Sequence, residues 1–293
     1  MKIIMMTDKN SNNIVIHEGL GLFSILFLTS FFIFPMYTQA QTNTTDTINA
    51  KVGNGIQTNL FQLDSKPYGM TFGEWTAKWW QWAYAIPKNT NPSYDDTGRH
   101  CTVNQKGPVW FFPGSYGKDV LRQCTVPSGK AILFPILNSE CSFAEFPSLK
   151  NEEQLRLCAK EIQDSVTKLK ATVDGKNITN LDEYRVQSPL FNFTLPENNI
   201  VGLPPQNTQA VADGNWVFLK PLSEGEHIIS FKGELKNTSS VQENKNNSFS
   251  FAGPHGWDKK VTYHISIVDN NNPSSSANPI TKVQNLTGEE NRA

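Results

Sequence analysis

Glu74 and Glu140 are the two carboxylates whose settings could make them an acid and a base. Glu74 opens a narrow polar stripe, Glu74, Lys78, Gln81 and Ala85, on a segment that is otherwise apolar, so burial of that segment would shift its pKa and suit it to proton transfer. Paired with Glu140 it would meet the minimum need of a glycosidase, two carboxyls at the right separation. Hard oxygens gather at Asp95-Asp96-Thr97-Gly98, the donor type that calcium takes, with Asn138 and Glu140 as further ligands. An Asx turn accounts for the same residues without an ion. His227 and His264 fall on strand-like segments that could be neighbours, and two imidazoles across strands would hold copper or zinc. His100 and His255 complete the histidines outside the leader, and no HxH or HExxH spacing joins any of them. Trp110, Trp216 and Trp257 lie near Gly- and Pro-rich turns and are the tryptophans best placed to stack on a sugar. The chain has no GxSxG, P-loop or dinucleotide fingerprint.

The elements that must position these groups are mostly strands. One helix is well specified: Thr71 and Glu74 form a capping box, Met70 and Trp75 can form its apolar staple, and Pro87 closes it. Apart from the polar stripe its faces are Phe72, Trp75, Trp79, Trp80, Trp82, Ala83, Tyr84 and Ile86, and a helix apolar nearly all round is a buried one. The tryptophans of this helix could form a sugar-binding platform, but burying one Trp removes about 150–250 Å² from water, some 4–6 kcal/mol as an upper bound, which favours the core for all four. A second helix is expected from about Glu152 to Thr167 behind an Asn151 cap, with Leu155, Cys158, Ile162 and Val166 as its inward stripe. Short alternating runs predict strands at 109–112, 120–125, 130–137, 170–173, 184–187, 190–195, 216–219, 227–232 and 261–268. Many short strands between Pro and Gly turns predict a mainly β fold, an antiparallel β-sandwich carrying the buried aromatic helix and one amphipathic surface helix.

The run Leu20 to Phe34, with Pro35 behind it and small residues at Thr38 and Ala40, has the layout of a secretory signal cleaved after Ala40. Its flank is weakly cationic, so an uncleaved anchor is the alternative, and this segment is the chain's one expected membrane contact. Residues 41–59 read as a polar linker, 60–268 as one domain and 269–293 as a polar tail, with 236–247 a long exposed loop. Cys101, Cys124, Cys141 and Cys158 are an even set suited to an oxidising compartment. Three pairings are open; sequence neighbours suggest Cys101 with Cys124 and Cys141 with Cys158, each worth about 3 kcal/mol. Sequons at Asn43, Asn177, Asn192, Asn237, Asn246 and Asn285 would be glycosylated where export and that machinery coincide. The net charge of −1 gives no basic footprint for nucleic acid.

The blocks GEWTAKWWQWAYAIP at 73–87, GPVWFFPGSYG at 107–117, CTVPSGKAILFPILNSEC at 124–141 and YRVQSPLFNFTLP at 184–196 resemble those of a family of exported prokaryotic proteins of uncharacterised function. The resemblance implies export and a β-rich body, and brings no reaction or ligand with it. The sequence as a whole points to a secreted or cell-surface binding or structural module for a small molecule, a glycan or an envelope component. The alternatives are an extracytoplasmic hydrolase working through Glu74 and Glu140, and a histidine-based metal-binding protein. No cofactor is expected beyond the calcium weighed above.

Overall fold

Helix α1 (Phe72–Tyr84) starts where its sequence says it should: the Thr71 hydroxyl accepts from the Glu74 N–H at 3.3 Å, and the Glu74 carboxylate accepts from the Thr71 N–H at 2.7 Å. The computed structural model describes residues 56–116, 118–236 and 259–269. Among them are β1 (Val109–Phe111), β2 (Val120–Pro127), β3 (Ala131–Ser142), helix α2 (Glu152–Gln163), β4 (Val166–Val173), β5 (Lys176–Asn177), β6 (Arg185–Gln187), β7 (Phe191–Leu195), β8 (Gln206–Leu219), β9 (Gly225–Leu235) and β10 (Lys260–Val268). The expected mainly β, two-sheet architecture is what forms. The first sheet runs β1-β3-β8, with β6 and β7 both paired to β8; the second runs β2-β10-β9-β4-β5. Pairing is antiparallel throughout except for β1 with β3 and β2 with β10, which are parallel.

Side-chain alternation sorts the layers. Phe134 of β3 stacks on Phe231 of β9 at 4.8 Å, and Phe112, just past β1, on Tyr263 of β10 at 4.1 Å, so these residues face the second sheet. On the opposite face of the first sheet, Trp216 meets Trp79 at 5.4 Å and Phe218 meets Phe72 and Trp75 at 5.4 and 5.9 Å. Helix α1 therefore covers the outer side of the first sheet; it is fully packed, as expected of so apolar a helix, but it lies beside the sandwich rather than between its sheets. Three of its indoles close on backbone carbonyls: Trp75 on Pro67 O at 2.8 Å, Trp79 on Phe112 O and Trp82 on Val103 O, both at 3.0 Å. Covered on both faces, β8 is continuously buried from Ala210 to Leu219.

Helix α2 packs on the same side of the first sheet as the second sheet does. Ser139 Oγ donates to Ala159 O at 2.7 Å, Gln163 Nε2 to Asn215 Oδ1 at 2.7 Å, and the Cys141–Cys158 disulfide ties the helix to β3. The other disulfide is Cys101–Cys124, so sequence neighbours pair as suggested. Arg122 is buried at 1 % exposure, and its guanidinium donates to the carbonyls of Ser93, Asp95, Pro113 and Gly114 and to the Tyr263 hydroxyl. One cation thus pins two loops onto β2 and β10.

Several boundaries differ from the sequence reading. The second helix stops at Gln163 because the chain turns at Asp164 and Ser165 into β4, which claims Val166 and Thr167. Residues 56–59, the last four of the expected linker, belong to the folded body, because Ile56 and Leu60 are buried and Asn59 O accepts from Lys220 N at 2.8 Å. The leader, the 237–247 part of the long loop, His255, Trp257, the tail beyond 269, and the sequons at Asn43, Asn237, Asn246 and Asn285 lie outside the described residues. No helix among the described residues is long and apolar enough to cross a membrane.

Candidate functional site

A register shift between Pro135 and Leu137 sets the parity of the rest of β3, so that Glu140 and Ser142 project toward α1 while Cys141 points the other way, to Cys158. The disulfide fixes the strand from behind, and the last turn of α1 delivers Tyr84 to its front. There the Tyr84 hydroxyl donates to Glu140 Oε2 at 2.6 Å and stands 3.5 Å from Glu145 Oε2. Glu145 is held by Ser142, whose hydroxyl donates to the carboxylate at 2.8 Å and accepts from the Glu145 N–H at 3.3 Å. Phe193 of β7 stacks on Tyr84 at 4.7 Å, and Trp80, one turn back on α1, meets it at 5.1 Å.

The electrostatics follow from burial. Glu140 is 8 % exposed, its Oε1 has no hydrogen-bond partner, and its carboxyl is pushed well above the ordinary range by burial and then by the charge and hydrogen bond of Glu145. Tyr84 is likewise driven up by burial and by both carboxyls. Tyr116 reaches the same group: its hydroxyl is raised by burial of that end, then by Tyr94, Glu145 and Glu140, although 48 % of the residue's surface stays open. Tyr94, 37 % exposed, stacks on Tyr116 at 4.7 Å with 17° between the rings. Two carboxyls and a bridging phenol therefore meet at the C-terminal end of α1, and the charge of both carboxyls is felt at the Tyr116 hydroxyl of the exposed ring pair. The arrangement can hold a proton, accept several hydrogen bonds and offer a flat aromatic surface.

The residues singled out from sequence fare differently. Glu140 belongs to this site; Glu74 does not. It is exposed at the opposite end of α1, about 15 Å away along the axis, and the Thr71 N–H and hydroxyl lower its pKa, as suits a cap. The polar stripe meets water at Glu74, Lys78 and Ala85, while Gln81 reaches the Asn192 carbonyl at 2.8 Å. Trp110 and Trp216, expected as stacking platforms, are 6 % and 0 % exposed, because both faces of the first sheet are covered. The Asp95 carboxylate is spent on its own loop, accepting from Thr97 N, Thr97 Oγ1 and His100 N at 2.8–2.9 Å; burial raises its pKa, but these bonds outweigh it and the net shift is downward. Asp96 pairs with Lys118 at the surface. The loop is an Asx turn, and no group of three or more His, Cys, Asp or Glu among the described residues could hold a metal.

His227 and His264 sit on neighbouring strands, yet the register pairs His227 with Ile265 and His264 with Ile228, so their side chains leave opposite faces of the sheet. They cannot share an ion. His227 instead lies in an open cleft of about 240 Å³, its Nδ1 2.8 Å from Asp174 Oδ2. Ser223 completes what looks like a nucleophile, base and acid series. However, His227 Nε2 lies closer to the Ser223 carbonyl, at 3.0 Å, than to its hydroxyl, at 3.4 Å, so the ring ties down the loop rather than activating Ser223. Asn177 and Asn192, with Thr179 and Thr194, are exposed and open to modification.

Glu145, Tyr84, Tyr94 and Tyr116 were not singled out from sequence. The short spacing of Glu140 and Glu145 around Cys141 was one available signal; nothing local marks the tyrosines, which come from three other segments. No family model and no curated protein matches the chain.

Proposed function

We propose that the chain is an extracytoplasmic binding module whose ligand seats at the Glu140, Glu145 and Tyr84 group, against the Tyr94 and Tyr116 rings. The observation that carries this reading is the meeting of the buried Glu140 carboxyl and the half-buried Glu145 carboxyl at one phenol, near exposed stacked tyrosines. Burying the Glu140 carboxyl with no cation beside it costs free energy that an apolar side chain would not. Aromatic surface next to a few convergent polar groups is the composition of a ligand site. Export is supported by the signal-like leader, the resemblance to an exported family and two disulfides, which persist in an oxidising compartment. Asn177 and Asn192 are surface acceptors wherever such a chain is glycosylated.

A hydrolase has one feature in its favour, a buried carboxyl whose raised pKa favours the protonated form that a general acid needs. Glycosidases, however, set their two carboxyls about 5–9 Å apart across the scissile bond. Here both stand at one phenol oxygen, Glu140 at 2.6 Å and Glu145 at 3.5 Å, which leaves no room for a sugar between them. Titration calorimetry of the full chain against envelope glycan fragments tests the binding reading. Wild type should bind, and Tyr116→Ala should lose at least ten-fold in affinity with its fold intact by circular dichroism. Equal binding by that variant would rule out this site.

A further inference from the structure

Three lysines stand side by side on the outer face of the second sheet. Register pairs Lys232 of β9 with Lys260 of β10 on one flank and with Lys170 of β4 on the other. Alternation with the buried Val261, Phe231 and Ala171 turns all three outward, away from the first sheet. Strands lie about 4.8 Å apart, so the row spans about 10 Å, and Lys168 extends it one pleat further along β4. Like charges placed directly opposite one another destabilise a sheet. Lysine also guards open strand edges, but β9 and β10 are interior strands, so that role does not account for the row.

Counter-charge is scarce on this face. The strands of the second sheet contain two acids, Glu226 and Glu234. Glu234 Oε1 is shared, 3.5 Å from both Lys168 Nζ and Lys232 Nζ. Glu226 lies about 20 Å from Lys232 along β9 and accepts from Ser266 Oγ. Asp119, just before β2, gives one carboxylate oxygen to the Lys260 N–H at 2.9 Å. Lys170 and Lys260 enter no ion pair among the described residues. The next row in register is Thr262, Ser230 and Thr172, all hydroxyls, with Ser230 Oγ 3.1 Å from Thr262 Oγ1.

We propose that this face binds an anionic polysaccharide, whose acidic groups meet the lysine row and whose hydroxyls meet the threonine and serine row. The seat at Glu140 lies on the α1 side of the first sheet, so the two surfaces are independent. Charge complementarity sets the class of partner, and the neighbouring side chains choose within it. Lysine is a hydrated point charge, suited to a line of anionic groups rather than to bidentate reading of one; Arg122, the arginine of this sheet, is buried. No Phe, Tyr or Trp shares the outward rows, so nucleic acid bases have no ring to stack on. A membrane surface would call for an apolar patch beside the lysines. Hydroxyls stand there instead, and the exposed Leu121 and Ile228 are two strands apart.

The test is titration calorimetry of the full chain with dextran sulfate and with polygalacturonate at rising salt, beside neutral dextran and vesicles of phosphatidylglycerol in phosphatidylcholine. At least one charged polysaccharide should bind, more weakly as salt rises, and neutral dextran should not. Lys170→Gln combined with Lys260→Gln should weaken that binding at least about ten-fold and flatten its salt dependence, with the melting temperature no lower. Lys66→Gln combined with Lys78→Gln removes the same charge beside Glu74 on the α1 side and should bind as wild type does. Equal loss in the two double variants would mean that net charge, and not this face, is read, and would overturn the proposal. Failure of both charged polysaccharides to bind would overturn it as well, and binding to the vesicles alone would assign the face to a membrane instead.

Discussion

Replacing Glu140 with glutamine should change how the stability of the fold depends on pH. The sign follows from the raised pKa of the folded carboxyl. Below the ordinary glutamate value, about 4.3, the folded and unfolded chains both carry the proton, and the site's stability is fully present. Above it the unfolded chain loses the proton while the fold retains it, so the folded state binds more protons and stability falls with each step in pH. The slope approaches about 1.4 kcal/mol per pH unit until the folded carboxyl itself titrates. The glutamine amide of the variant has no such proton to lose. Urea unfolding of both proteins at intervals from pH 4 to 8.5, read as wild type minus variant, cancels the contributions of the other acids. The difference should shift steadily in favour of the variant as pH rises above the ordinary glutamate range. Parallel curves would show that the Glu140 carboxyl is ordinary and that burial and Glu145 do not act on it.

Three further substitutions probe the elements that carry the site. Gly214→Ala would put a methyl 2.7 Å from Trp216 Nε1 and 2.8 Å from Asn138 Cβ, and should cost about 1–3 kcal/mol in urea unfolding through overpacking between the first sheet and α1. Thr71→Ala removes the hydroxyl half of the capping box and should cost about 1 kcal/mol, visible as a lower melting temperature with the spectrum unchanged. Replacing Cys141 and Cys158 together by serine frees α2 from β3 and should cost about 2–4 kcal/mol, and it should also weaken ligand binding, since the same bridge backs the Glu140 strand.

The parts legible in the sequence were those whose signal is local. The capping box of α1 and its apolar circumference lie within one segment, and neighbouring cysteines did pair. Strand β8 is legible only at 216–219, because Gln206 to Asn215 is largely polar or small; its buried Asp213 and Asn215 are matched by distant partners, the Arg185 guanidinium at 2.8 and 3.0 Å from Asp213 and Gln163 on Asn215. Trp110 and Trp216 looked exposed because turns flank them, while the covering helix and second sheet come from distant sequence. The sequence marks Glu140 as a lone carboxyl and offers Glu74 as its partner. The true partner, Glu145, is five residues on, and their bridge, Tyr84, is 56 residues earlier. A bulge in β3 decides which way Glu140 points, and nothing in the alternation of that strand announces it.

Titrating the full chain, carrying ¹³C-labelled tyrosine, with envelope glycan fragments would locate the ligand directly. The ring signals of Tyr84, Tyr94 and Tyr116 should move together and saturate, while those of Tyr68, Tyr184 and Tyr263, which lie outside the site, stay in place. Movement confined to the latter three, or no movement at all, would contradict a ligand seat at the carboxyl pair.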